Sequence, residues 1–151
     1  NKMEADGDGQ VQFEDSFEIN EKDPDGKKFD RVSRYICQSD LYDMHLTLDI
    51  NTEIYPLDVG EHFKLLLTDS IEGEKKDFGQ AVWDQTGTQM DDYDYVMHGK
   101  IFKIETSLST DNQQKLYVSF GGLLMLLVGD AKPLEQFKLD TYVYLLLKKT
   151  G

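Results

Sequence analysis

Residues 118–130, VSFGGLLMLLVGD, constrain the fold of this chain more than any other stretch. They hold its longest apolar run, residues 123–128, with Gly121 and Gly122 before it and Gly129 after it. A short run bounded by turn formers suits a strand buried on both faces, and it is far below the roughly 20 residues of a membrane-crossing helix. A glycine pair within a strand pattern marks a bulge, a sharp bend or a close backbone approach. The expectation is two strand arms, 116–120 and 123–128, about a glycine kink, with Gly121 and Gly122 letting the strand bend and pack closely.

Much of the remaining chain alternates with period two. Val11, Phe13, Phe17 and Ile19 share one face, with a polar gap at Asp15. Asp23, Pro24, Asp25 and Gly26 then form a turn signal. Phe29, Arg31, Ser33, Tyr35 and Cys37 alternate with Val32, Arg34 and Ile36 in a two-faced second strand. Met44, Leu46, Leu48 and Ile50 oppose His45, Thr47 and Asp49 in the cleanest half-buried strand, with residues 51–55 extending it towards Pro56. Val59, Phe63, Leu65 and Leu67 predict a fourth strand. Residues 93–105 predict another, bent at Gly99, and residues 141–149 a closing one. Residues 131–139, with Pro133, read as a loop or short turn. Many strands without a persuasive helix predict an all-β barrel or sandwich.

Two stretches stand apart. Residues 1–10 read as a flexible acidic tail. Residues 4–15 space their acids like a calcium-binding EF-hand loop, but the first position is Glu4, the last is Asp15, and there is no room for an entering helix, so no calcium binding is expected. Residues 69–94 carry eight acids and three scattered glycines with no sustained period, which predicts a long mobile loop. Trp83 lies there with Phe78, Ala81 and Val82, as a partner anchor or as the residues that fold the loop back.

Charge narrows the function. The chain has 29 acidic and 16 basic residues, a net charge of −13. Such a surface repels phosphate backbones and suits a basic partner surface, so direct nucleic-acid binding is not expected. Lys27, Lys28, Arg31 and Arg34 form the one basic cluster, either balanced by neighbouring acids or docking an acidic partner. A single cysteine, Cys37, and no apolar leader in the first fifteen residues fit a soluble protein of a reducing compartment. His45, His62 and His98 are isolated, no phosphate-binding glycine loop is present, and no catalytic triad stands out, so no metal, cofactor or catalytic residue is expected.

Five runs then appear in a characteristic order: GKKFDRVSR at 26–34, LDINTEIYPLDVG at 48–60, YVMHGKIFKIE at 95–105, SFGGLLMLLVGD at 119–130 and VYLLLKK at 143–149. Over residues 11–149 the chain resembles the family of the small subunit common to eukaryotic nuclear RNA polymerases I, II and III. The resemblance implies a non-catalytic nuclear subunit that helps assemble and support the largest polymerase subunit, docking on its outside. It also implies a single domain over 11–151: an antiparallel barrel of about eight strands, similar to oligonucleotide-binding (OB) folds, with a mobile loop between strands four and five at 69–94. Residues 1–10 precede the family pattern, and leucine within 125–127 replaces a base frequent in the family.

Ordering a long loop on binding costs conformational entropy, whereas barrel strands are already ordered. The expected partner-binding residues are therefore Tyr95, Phe120, Gly121, Gly122, Leu123, Leu124 and Met125. Two rival functions remain: an independent OB-type binder of single-stranded nucleic acid, and a barrel for a small apolar ligand. The first needs a basic groove with stacking aromatics, and the second an open interior.

Overall fold

A computed structural model describes residues 11–27, 29–41, 43–71, 92–107 and 112–151. The strands are β1 (Gln12–Lys22), β2 (Val32–Ser39), β3 (His45–Asn51), β4 (His62–Thr68), β5 (Tyr95–Thr106), β6 (Gln113–Phe120), β7 (Leu123–Asp130) and β8 (Tyr142–Lys149). They close into an antiparallel barrel in the order β1-β2-β3-β7-β6-β5-β8-β4, with β4 returning to β1. Closure leaves no long free edge, which an acidic single-layer sheet would otherwise expose to pairing. Between β4 and β5 the chain passes through residues 72–91. Those residues, with Trp83, Phe78, Ala81 and Val82, lie outside the described residues, as do the 1–10 tail and most of the EF-hand-like spacing. Asp15, its last position, sits in β1 opposite Leu65.

Period-two alternation places one side chain in two inside the barrel. Phe13, Phe17, Tyr35, Cys37, Leu46, Leu48, Phe63, Leu65, Leu116, Val118, Leu127 and Leu145 fill it, with Phe17 stacked on Phe63 at 5.9 Å. Strands β4 and β8 are buried on both faces: Leu66 and Leu146, opposite each other on the outer side, are fully buried.

The central stretch folds differently from the sequence expectation. Gly121 and Gly122 do not kink one strand. They are the two-residue turn of a hairpin in which Phe120 faces Leu123 and Gln113 faces Asp130. Their φ angles are 62° and 99°, and a Cβ added to either meets nothing within 4 Å. The glycines serve a left-handed turn that matches strand twist, and close packing plays no part. The run 123–128 is buried on one face only, through Met125 and Leu127, while Leu124 is 41% exposed. Close approaches occur at Gly99, where a Cβ would run into the Ser119 carbonyl oxygen and the Phe120 ring, and at Gly129, where it would run into the Met44 side chain.

Other boundaries shift for local reasons. β2 begins at Val32, and Phe29 is 67% exposed beside it. β3 stops at Asn51, whose side-chain oxygen accepts from Glu53 N at 3.1 Å and whose carbonyl accepts from Tyr55 N at 2.9 Å, so residues 51–55 turn instead of extending the strand. Val59 is exposed ahead of β4. Residues 131–139 contain a one-turn helix, α1 (Ala131–Leu134), capped by Asp130, which accepts from Lys132 N. Pro133 fits there because first-turn amides need no helical partner. Leu134 and Phe137 of this connection enter the core.

Candidate partner-docking face

The seven residues expected to contact a partner occupy both sides of the barrel wall. Tyr95, Phe120 and Met125 point inward and are at most 8% exposed. The Tyr95 ring stacks on Tyr55 at 5.1 Å, and its hydroxyl accepts from Asn51 N at 3.5 Å. Leu123 is half-buried against the core. Only Leu124 and the turn residues Gly121 and Gly122 face solvent.

Leu124 belongs to a continuous outer face. The ladder places Ile36, Thr47, Leu126, Tyr117 and Lys103 in one row across β2, β3, β7, β6 and β5. A bulge in β5 between Ile101 and Lys103 adds Phe102, which is 46% exposed with its ring 6.0 Å from Tyr117. The bulge re-aims the residues after it, so Lys103 joins Phe102 on the outer side, where alternation with Ile101 already sends Phe102. Phe102, Tyr117, Leu124, Met125, Leu126, Thr47 and Arg34 surround a groove of about 160 Å³.

One wall of the groove is fixed by Asp49. Sequence alternation sends this residue to solvent, yet it is 6% exposed. Pairing of β3 with β7 ends at Leu48 and Met125. One residue further, Asp49 Oδ2 takes the place of a strand carbonyl and accepts from Leu124 N at 3.0 Å. Arg34 binds the same carboxylate with two donors, Nε to Oδ1 at 2.7 Å and Nη2 to Oδ2 at 3.0 Å. That hydrogen bond, followed by the carboxylate's charge, raises the guanidinium pKa. On the opposite wall Tyr117 donates to Glu105 Oε1 at 3.0 Å, and Lys103 lies 3.4 Å from Glu105 Oε2. The hydrogen bond raises the Tyr117 pKa and lowers that of Glu105.

Of the remaining basic cluster, Arg31 is balanced by a neighbouring acid, and Lys27 is held by neutral oxygens. Arg31 pairs with Glu53 at 3.6 Å, and Lys27 Nζ donates to Val32 O and Ser33 Oγ, while Lys28 lies outside the described residues. Cys37 is buried and its thiol is pushed up to about 12 by burial. Among the described residues no group of three or more His, Cys, Asp or Glu side chains is placed to hold a metal ion. Phe102, Tyr117, Leu126, Arg34 and Asp49 were missed as a set. The available signal was the uninterrupted run 123–128: a half-buried strand without polar alternation leaves apolar residues on its outer face.

Comparison with known proteins is decisive about kinship. The chain matches the family RNA polymerase Rpb8 over residues 14–149. It is 47% identical over 140 residues to a Dictyostelium discoideum protein named DNA-directed RNA polymerases I, II, and III subunit rpabc3, covering 92% of this chain and 97% of that one. It is 43% identical over 140 residues to subunit 8B of DNA-directed RNA polymerases II, IV and V of Arabidopsis thaliana, covering 92% and 96% of the two chains. Against the Saccharomyces cerevisiae RPABC3 subunit of polymerases I, II and III the identity is 34% over 146 residues, with 91% and 97% covered. A closed eight-strand antiparallel barrel with these matches along nearly its whole length belongs to the RNA polymerase Rpb8 family.

Proposed function

We propose that this chain is a non-catalytic subunit shared by nuclear RNA polymerases I, II and III, and that it assembles on the largest subunit and supports its structure. The near-full-length match to relatives named as shared polymerase subunits carries this reading. The barrel adds physical support. Its interior is filled by its own side chains, which leaves the outer surface to meet a partner. An outer strand that displays Leu124 and Leu126 is costly in water and is relieved by burial in an assembly. The net charge of −13 opposes the rival reading as an independent binder of single-stranded nucleic acid. Purification of a tagged chain from nuclei, with identification of bound proteins, tests the proposal. Large subunits of all three polymerases are expected in the eluate; their absence, with unrelated proteins in their place, overturns it.

A further inference from the structure

Building on that reading, we propose that the groove on the outer face of β7 receives an apolar side chain of a large polymerase subunit, with a carboxylate or carbonyl oxygen of the same segment resting on Arg34. The groove, about 160 Å³, has the scale of one aliphatic or aromatic side chain. Its floor is Leu124 and Leu126, one wall is the Phe102 and Tyr117 ring pair, and the other is the Arg34 guanidinium. An aromatic and aliphatic pocket beside an anchored Arg is the composition of a binding hot spot.

Arg34 is pre-organised for this. Its Nε and Nη2 are held by Asp49, so the planar group is oriented before any partner arrives, while its side chain stays 46% exposed. The remaining Nη1 donor edge is the part left for an incoming oxygen. Asp49 in turn carries Leu124 N, so the same carboxylate sets the position of the groove floor and of the arginine.

Charge selects the occupant. The chain as a whole has 29 acids and 16 bases, and its general surface favours basic partners. This face differs. Its bases are Arg34, Lys103 and Lys115; Asp49 and Glu105 are each held by one of them, and Asp23 and Asp25 lie on the far side of Arg34 from the groove floor, Asp23 accepting from its backbone N at 3.0 Å. An apolar segment with an acidic or carbonyl neighbour is thus tolerated here and disfavoured elsewhere on the barrel. Leucine at position 126, between Met125 and Leu127, keeps the floor apolar.

The test compares folded variants in the purification already described. Leu124→Glu and Leu126→Glu place a charge on an outer position without filling the core, and Glu18→Lys on β1 is the control on another side of the barrel. A thermal melt by circular dichroism first establishes that each variant folds. Recovery of polymerase large subunits is expected to fall at least tenfold for both leucine variants and to stay at the wild-type level for Glu18→Lys. Arg34→Lys, which keeps charge but loses the fork, is expected to reduce recovery several-fold. Wild-type recovery by folded Leu124→Glu and Leu126→Glu variants overturns the groove while leaving the polymerase assignment intact. Failure of the wild-type chain itself to recover polymerase overturns the assignment instead.

Discussion

At the scale of single residues, Asp49 joins three parts of the barrel. It accepts from Arg34 of β2 and from the backbone of β7 while itself standing on β3. Removing a buried acceptor leaves its donors unpaired, at about 1–3 kcal/mol, and the half-exposed arginine keeps the loss towards the lower part of that range. Asp49→Ala is therefore expected to lower stability in urea by about 1–1.5 kcal/mol. Asp49→Asn, which can still accept from Leu124 N, should lose less. Equal losses for the two would show that the Leu124 bond contributes nothing. The inner face offers a second prediction. Burial raises the Cys37 thiol from its ordinary 9.0 to about 12, and burial also raises Tyr35 from 10.0 to about 12. Both groups keep their protons in the fold at a pH where the unfolded chain loses them. Stability is fully present below about pH 9 and declines as pH rises towards about 12. Melting temperatures across that window should fall, less steeply in Cys37→Ala, and a flat profile in the wild type would contradict the burial argument. Asp49 also shows the limit of reading residues singly: its place in the alternation is outward, and only the register between β2, β3 and β7 shows that two partners cover it.

At the scale of elements, the two kinds of glycine give opposite expectations. Gly121 and Gly122 need positive φ in open space, whereas Gly99 needs room against the end of β6. Gly122→Ala should cost about 1 kcal/mol, the penalty of a left-handed L-residue. Gly99→Ala should cost more, about 3 kcal/mol, because the obstacle is the Ser119 carbonyl of the backbone, which cannot rotate away. Urea titrations of both variants check the order, and a larger loss at Gly122 would reverse the assignment of roles. The sequence showed that glycine was required at these places without showing why. A pair of glycines between two apolar arms is compatible with a kink or a turn, and the choice depends on whether the arms pair with each other, which is a tertiary fact. The same holds for burial. Runs 65–67 and 145–147 are covered on both faces, whereas the longer run 123–128 is covered on one, because coverage depends on neighbours in the barrel order and run length does not reveal them. Strand existence was legible wherever alternation was clean, as in β3. Strand ends at Val32 and Asn51 were set by turns that alternation does not report.

At the scale of the whole molecule, the closed barrel and the family were legible from different signals. Repeated strand and turn patterns pointed to an all-β architecture, and five ordered runs pointed to the polymerase subunit family. The face proposed for docking was only partly legible. Leu124, Gly121 and Gly122 face outward, Met125 is buried yet also lines the groove, and Tyr95 and Phe120 sit in the inner wall. Alternation with Ile101 already sends Phe102 outward and Arg34 stood in the basic cluster, but neither could be joined to β7, because the bulge register and the Arg34 fork with Asp49 form only across strands. The central claim is that the barrel meets the polymerase through the outer face of β3, β7, β6 and the second half of β5. A photo-activated cross-linking residue can be placed at Tyr117 in that face or at Glu18 on β1, and the assembled polymerase then irradiated and its cross-linked subunit identified. The account predicts a cross-link from position 117 to the largest subunit and none to that subunit from position 18. A cross-link to the largest subunit from position 18 alone, with position 117 silent in an assembled complex, would contradict it.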